Sequence, residues 1–401
     1  MRIIVNDRVL FRPLTGVGHY ARELLGALAG EDAAIDVRGF LSGVFGMPKR
    51  GGRGKTEDGK QTAGRYEDGG GHAARTADSG VGGGLRRWVK PWLRQAAGGP
   101  YRMAFRVAAR RYSLYHEPNH VPTRCHTPTV TTIHDLSVLV HPEWHPSDRV
   151  RWYERDFDAG VRQTCRFIAV SEFTKSEMVT RLGIPAERID VTYQAPRPAF
   201  VTFDQITATR VRVEHNLPEQ FFLFVGTLEP RKNVAGLLEA YGALSADLRR
   251  RFPLVLAGGW GWKMDVLPGL LARHGVQNTT RLLGYLSDDA LAGLYTTCTA
   301  LVWPTLFEGF GLPPLEAMAC GCPVIVSGVT SLPEVVGDAG VLLDPHDLEA
   351  WTEAMRRMAE DADWREQWQQ RGRERAGTFS WQRCARQTIA CYEAALRSSR
   401  Q

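Results

Sequence analysis

Short apolar runs alternate with amphipathic stretches along the chain. Ile3–Val5 reads as a buried strand, and after a loop the apolar spacing from His19 to Leu28 predicts a helix. Tyr112–Tyr115, Thr129–Ile133, Arg166–Val170 and Ile189–Tyr193 are strand-like, with a helical pattern around Val150–Gln163. A second series follows at Phe221–Val225, Leu254–Ala257, Arg281–Leu283, Ala300–Trp303, Val324–Val326 and Val341–Leu343. Continuous apolar strands spaced by helices predict parallel sheets covered on both faces. Gln194-Ala-Pro-Arg-Pro198 breaks the pattern with two prolines and reads as a linker. The expected class is α/β, two Rossmann-like doubly wound parallel-sheet domains in tandem, over residues 1–200 and 201–380. Ligands of such sheets sit beyond the carboxyl ends of the strands, so the cleft between the domains is the expected site.

Two segments depart from this rhythm. Residues 49–84 carry Gly, Arg, Asp, Thr and Lys with almost no large apolar side chain, a composition expected of a disordered insertion. Leu85, Trp88, Val89, Trp92 and Leu93 then recur at helical spacing among Arg86, Arg87, Lys90 and Arg94, with Pro91 inside the pattern. Residues 85–94 therefore read either as a helix lying on the inner membrane face or as a basic helix packed on the domain.

With 43% hydrophobic and 23% charged residues in 401, the chain falls among globular proteins of about two domains. No run approaches the ~18 apolar residues of a membrane span, and Arg2, Asn6, Asp7 and Arg8 stand where a signal peptide would be apolar. The expected location is cytoplasmic, peripheral on the membrane if residues 85–94 contact it. The net charge of +6 suits anionic ligands or an anionic surface without indicating nucleic acid. Seven scattered cysteines, an odd number, argue for reduced thiols.

Three letter matches carry little chemistry. His116-Glu117-Pro118-Asn119-His120 spells H-E-x-x-H, but Pro118 excludes the continuous helix a zinc protease requires. Asp156-Phe157-Asp158 and Asp361-Ala362-Asp363 lie in helical patterns, where residues two apart diverge. Gly16-Val17-Gly18-His19-Tyr20-Ala21 fits G-x-G-x-x-A but is separated from its strand by a loop. Its glycines still let a donor phosphate approach the amides of an opening helix, which makes Gly16 and Gly18 candidate binding residues.

The strongest signals are in the second half. Val225-Gly-Thr-Leu-Glu-Pro-Arg-Lys-Asn233 sets Arg231 and Lys232 in a loop between a buried strand and a helix. The run from Pro304 to Gly321 places Glu308 and Glu316 eight positions apart around Gly309, Phe310, Gly311 and Leu312, a glycine-rich turn that opens a helix. Breaking a sugar–nucleotide bond leaves a diphosphate, which calls for cations and oriented amides where negative charge develops. Carboxylates beside them can accept hydrogen bonds from sugar and ribose hydroxyls.

These residues, with Thr132–Ser137 (TIHDLS) and Ala169–Lys175 (AVSEFTK), resemble the family-4 retaining glycosyltransferases of the GT-B fold. The resemblance implies two Rossmann-like domains, the first receiving the acceptor, and a closing helix over 381–401 that returns to the first domain. It assigns Glu308 to the transferred hexose, Glu316 to the ribose, His134 to positioning the donor sugar and Leu286, in the Gly284–Leu286 stretch, to the nucleotide base. Thr227 replaces the arginine that some members carry after the strand glycine, which shifts neutralisation of the diphosphate onto Arg231 and Lys232. No metal or other cofactor is required. By the same resemblance the donor is a nucleotide-diphosphate sugar, GDP-mannose ahead of dTDP-rhamnose, and the acceptor a glycan or lipid-linked saccharide of polysaccharide or lipopolysaccharide assembly. A nucleotide-sugar epimerase of similar fold and a non-catalytic sugar-binding module remain as alternatives.

Overall fold

The computed structural model describes residues 1–11, 14–31, 35–45, 91–202 and 205–399, excluding the side chains of 44–45, 91–98 and 205–207. The glycine-rich stretch and residues 85–90 lie outside it. Of the tryptophan-bearing basic stripe only the backbone of 91–94 is described, opening the helix Pro91–Ala109.

Among the described residues, two six-stranded sheets are built from twelve strands, all parallel to their neighbours. The N-terminal sheet holds β1 (Arg2–Val5), β2 (Asp36–Gly39), β3 (Leu114–Glu117), β4 (Thr129–Ile133), β5 (Thr164–Ala169) and β6 (Ile189–Val191), in the order β2-β1-β3-β4-β5-β6. The C-terminal sheet holds β7 (Phe222–Val225), β8 (Leu254–Ala257), β9 (Thr280–Gly284), β10 (Ala300–Trp303), β11 (Val324–Ser327) and β12 (Val341–Leu343), in the order β12-β11-β10-β7-β8-β9. Every residue of β7, β8, β10 and β11 is buried, as expected of strands covered on both faces. From β7 the chain winds outward through β8 and β9, then returns to place β10 on the other side of β7. The gap between β7 and β10 is thus the switch point where such sheets bind ligands.

Six helices position the site: α1 (Gly16–Glu31), α2 (Glu172–Leu182), α3 (Val234–Ala243), α4 (Asp288–Thr297), α5 (Leu312–Ala319) and α6 (Trp381–Ser398). Although last in sequence, α6 packs beside α1 on the N-terminal sheet, where Trp381, Cys384 and Tyr392 share a core with Leu24, Leu28, Val130 and Ile168. The Trp381 indole donates to the Pro196 carbonyl at 3.1 Å, which pins the turn into α6 against the linker.

Three local expectations shift. The strand expected at Tyr112–Tyr115 lies at Leu114–Glu117, because the Tyr112 amide still bonds back to Ala109 (3.0 Å) while His116 and Glu117, polar but buried, pair with Val130 and Thr131. The β2 edge was not anticipated, since Asp36 and Arg38 interrupt its apolar pattern. Asp361 precedes its helix and caps it, accepting from the Trp364 amide at 2.9 Å, so it does not share a helical face with Asp363. All seven cysteines are free thiols, none fully exposed.

Candidate active site

Lys232 and Arg231 lie on a single turn of 3-10 helix, Pro230–Lys232, that follows β7. Asn233, at a φ of 52°, ends that turn and caps α3 by accepting from the Gly236 amide. The left-handed conformation that asparagine tolerates therefore fixes where both cations point. On the other side of the switch point Glu308 follows β10. Its Oε1 pairs with the Lys232 ammonium and accepts from the Thr305 hydroxyl at 2.9 Å, while its Oε2 lies 3.2 Å from Arg231 Nη1. Arg231 also donates to Glu229 (2.5 Å) and to the Phe307 carbonyl (3.0 Å). The Lys232 ammonium sits 4.3 Å from the centre of the Trp303 ring, so its positive charge is shared between a carboxylate and an aromatic face.

Burial and neighbouring charge move the two cations in opposite directions. Burial pulls the Lys232 pKa down, helped by neighbouring Arg231 and opposed by Glu308. Burial also works against the charge of Arg231, but Glu308 and then Glu229 hold that guanidinium above the usual arginine value. The site keeps one permanent cation and one that responds to its partners.

The facing wall comes from the N-terminal sheet. His134 follows β4, and its Nε2–H donates to the Pro118 carbonyl at 2.8 Å. Since a carbonyl only accepts, that bond fixes the tautomer and leaves Nδ1 as the ring's acceptor. Burial lowers the His134 pKa, so the ring is neutral at pH 7. The ring of Tyr20, in α1, stands nearly perpendicular to it with ring centres 4.9 Å apart. Burial disfavours ionisation of Asp135, yet Arg231 holds its carboxyl well below the usual range, with His120 and the Ser137 bonds assisting. Asp135 thereby couples this wall electrostatically to the cations opposite.

The two walls touch. Ser171, at the start of α2, donates to the Gly309 carbonyl at 2.7 Å, and Thr174 donates to the same oxygen at 3.2 Å. Phe310 is buried, with its ring near Tyr193 and Phe379, and its carbonyl accepts from Ser331 at 2.9 Å. Gly311, at a φ of 109°, precedes Leu312 and α5, and an added Cβ there would lie 2.6 Å from Leu332 Cδ2. Pro313 and Pro314 lack amide hydrogens, so the donors near the helix start come from the turn itself.

Glu316, one turn into α5, occupies a second cluster. Both its oxygens are held by Arg197, Nε at 2.6 Å and Nη2 at 3.0 Å. Arg197 Nη1 also donates to Asp288 at the start of α4 (2.5 Å) and lies 3.2 Å from His19 Nδ1 on α1. Gly16 and Gly18 open α1 just before that histidine, and a Cβ on Gly18 would lie 2.8 Å from Leu14. Leu286 is half-buried beyond β9, two residues before Asp288, and so falls on this side of the site.

The structure thus gathers Arg231, Lys232 and Glu308 in one group, brings His134 against Gly309, and sets Glu316 with His19 and Asp288 in another. Sequence reasoning passed over Arg197, Asp288, Asp135 and Glu229. Arg197 stands between two prolines, which mark a linker, and a lone charge there carries no pattern. Among the described residues no group of three His, Cys, Asp or Glu side chains could hold a metal ion, and no helix is long and apolar enough to cross a membrane. His116 and His120 of the H-E-x-x-H match lie on and just beyond a strand, as Pro118 required.

Comparisons with known proteins match both halves of the chain. The Glycosyltransferase Family 4 profile matches residues 14–195, and the Glycosyl transferases group 1 profile matches residues 205–375. The chain is 36% identical over 397 residues to O-antigen chain mannosyltransferase B of Escherichia coli, covering 98% of this chain and 100% of that one. It is 32% identical to the serotype-specific mannosyltransferase WbdA of the same organism, over 68% of this chain and 34% of WbdA. Among solved structures, HepE of Anabaena in complex with UDP-glucose matches with a TM-score of 0.70 at 17% identity, covering 98% of this chain and all of the other.

Proposed function

This chain belongs to the group 1, family-4 glycosyltransferases, and from that premise we propose that it transfers mannose from GDP-mannose to a glycan or lipid-linked saccharide of O-antigen type. That it is a glycosyltransferase taking its sugar from a nucleotide-sugar donor follows from the family. The finer reading rests on the full-length likeness to a mannosyltransferase of O-antigen chains, with dTDP-rhamnose as the second candidate donor.

The observation that carries the chemistry is the convergence of Arg231, Lys232 and Glu308 on the β7/β10 switch point, facing His134. A diphosphate seated on Arg231 and Lys232 competes with Glu308 for the same donors. The carboxylate it displaces becomes an acceptor for hexose hydroxyls, so donor binding and sugar orientation are linked. His134, with its Nε2 proton committed to Pro118, accepts a sugar hydroxyl at Nδ1 and orients it rather than acting as an acid. The C1–O bond to the diphosphate breaks, and the acceptor oxygen bonds to C1 on the same face. The acceptor proton passes to the departing diphosphate, whose charge the buried cations stabilise. Glu316 takes the ribose and the Gly284–Leu286 backbone the base. Residues 1–200 carry the acceptor and 201–380 the donor, with 381–401 returning to the first.

Incubating the protein with labelled GDP-mannose, dTDP-rhamnose or UDP-glucose and a lipid-linked saccharide tests the reading. Transfer from GDP-mannose with an α-linked product supports it. Turnover confined to dTDP-rhamnose removes the sugar assignment, and release of an epimer without acceptor removes the transferase.

A further inference from the structure

We infer that Arg197 is the positioning residue of the ribose site, its guanidinium fork gripping Glu316 so that the carboxylate presents its remaining lone pairs to ribose hydroxyls. The inference rests on the reading that Glu316 binds the ribose.

The geometry is specific. Arg197 and Glu316 are both buried, 6% and 2% exposed, and are joined by two parallel bonds of 2.6 and 3.0 Å, an arrangement only a guanidinium can make with a carboxylate. The fork is itself held. Its Nη1 donates to Asp288 at 2.5 Å, and its carbon lies 4.4 Å from the centre of the Phe200 ring. Arg22 reaches the other oxygen of Asp288 at 3.2 Å, so three helices and the linker meet around one guanidinium.

An ionised carboxylate offers about four acceptor sites, and the fork uses two. Two remain, which matches a vicinal pair of hydroxyls. Without the guanidinium, burial would favour the protonated acid, since burial raises the Glu316 pKa and Arg197 is the chief opposing influence. A protonated acid loses an acceptor just where two hydroxyls need them. Local charge also selects the ligand. Arg197 and Arg22 face Glu316, Asp288 and Glu23, two cations against three carboxylates, and His19 stays neutral with a pKa near 3. A cluster with excess acceptors welcomes hydroxyl donors.

Titration calorimetry of the full chain with GDP, UDP and the 2′-deoxy form of each provides the test. Wild type is expected to bind the ribonucleotide about tenfold tighter than its deoxy form, the scale of one hydrogen bond to a charged group. Arg197→Gln should bring that ratio near one and leave affinity for the deoxy form within about twofold, which a merely structural role would not do. Arg197→Lys keeps charge and length but not the fork, and should lose the ratio too, carrying the test if the glutamine variant does not fold. A ratio preserved in both Arg197 variants but lost in Glu316→Gln overturns the inference alone. A ratio preserved in Glu316→Gln, or wild type that binds neither ribonucleotide, overturns the ribose reading and the inference with it.

Discussion

Gly309 lies so close to the main-chain carbonyl of His134 that a methyl group built on the glycine would sit 1.6 Å from that oxygen. Gly309 is not among the glycines with left-handed backbone, so alanine suits its loop and the clash arises only between the two halves of the molecule. Gly309→Ala is therefore expected to fold normally and to fail at closure. Transfer should fall about 100-fold, the usual cost of misplacing reacting groups by ~1 Å, while nucleotide binding to the C-terminal half falls far less. Steady-state kinetics and the radius of gyration from small-angle scattering check this. Wild-type turnover in the variant would show that the His134–Gly309 contact does not matter.

Glu334 closes the same gap from another angle. Its carboxylate accepts from the amides of Glu172 (2.7 Å) and Phe173 (3.2 Å), the first two of α2 in the opposite half. A negative charge at a helix start is worth about 1–2 kcal/mol. Because the helix and its cap belong to different halves, that energy stabilises closure rather than either half. Glu334→Ala should raise the KM for both substrates by about 5- to 30-fold, the range those energies imply, with an unchanged melting temperature. A fall in melting temperature with KM unaffected would place the effect in the fold instead.

How legible this was depended on whether a residue acts through its own pattern or through a distant partner. Leu254–Ala257 and Ala300–Trp303 are buried apolar runs whose burial is dictated by composition, and they form strands at the residues expected. Glu308 and Arg231 were legible as candidates, because a carboxylate and a cation in loops after buried strands suit sugar hydroxyls and a departing diphosphate respectively. Arg197 was not, since its meaning comes from Glu316, 119 residues away. His116 and Glu117 were hidden for a related reason. They are polar residues at buried strand positions, made tolerable by Tyr392 and Thr132 in one case and by Asn6 and Tyr115 in the other.

His116 also gives the fold a pH dependence. It sits between the hydroxyls of Tyr392 (2.7 Å) and Thr132 (2.8 Å), and burial lowers its pKa to about 3, with His134 adding to the effect. The unfolded chain binds a proton near pH 6.5 and the folded one does not. Stability from this group is complete above pH 6.5 and is lost as pH falls from there toward 3, at about 1.4 kcal/mol per unit. Between pH 7 and 5 wild type should lose about 2 kcal/mol more than His116→Gln, which has no titrating ring. Urea unfolding of both proteins at the two pH values measures the difference, and parallel losses would remove His116 as the source.

Glu308 yields a prediction in which stability, binding and turnover move differently. Its carboxylate is buried and shared by Lys232, Arg231 and Thr305, so Glu308→Gln removes the charge that offsets two cations without creating a cavity. Stability should fall by about 3 kcal/mol, as when one partner of a buried ion pair is lost. The same change frees Arg231 and Lys232 from a competitor. A nucleoside diphosphate such as GDP should then bind tighter, by up to about tenfold or 1.4 kcal/mol, and should restore much of the lost stability through its own binding energy. Transfer should nevertheless drop at least about 100-fold, because the amide cannot take two hexose hydroxyls as a carboxylate does. Calorimetry with GDP beside initial rates with the sugar donor separates these effects. Weaker GDP binding in Glu308→Gln would mean that the carboxylate organises the cations for the diphosphate instead of competing with it, and the exchange of partners proposed for donor binding would have to be abandoned.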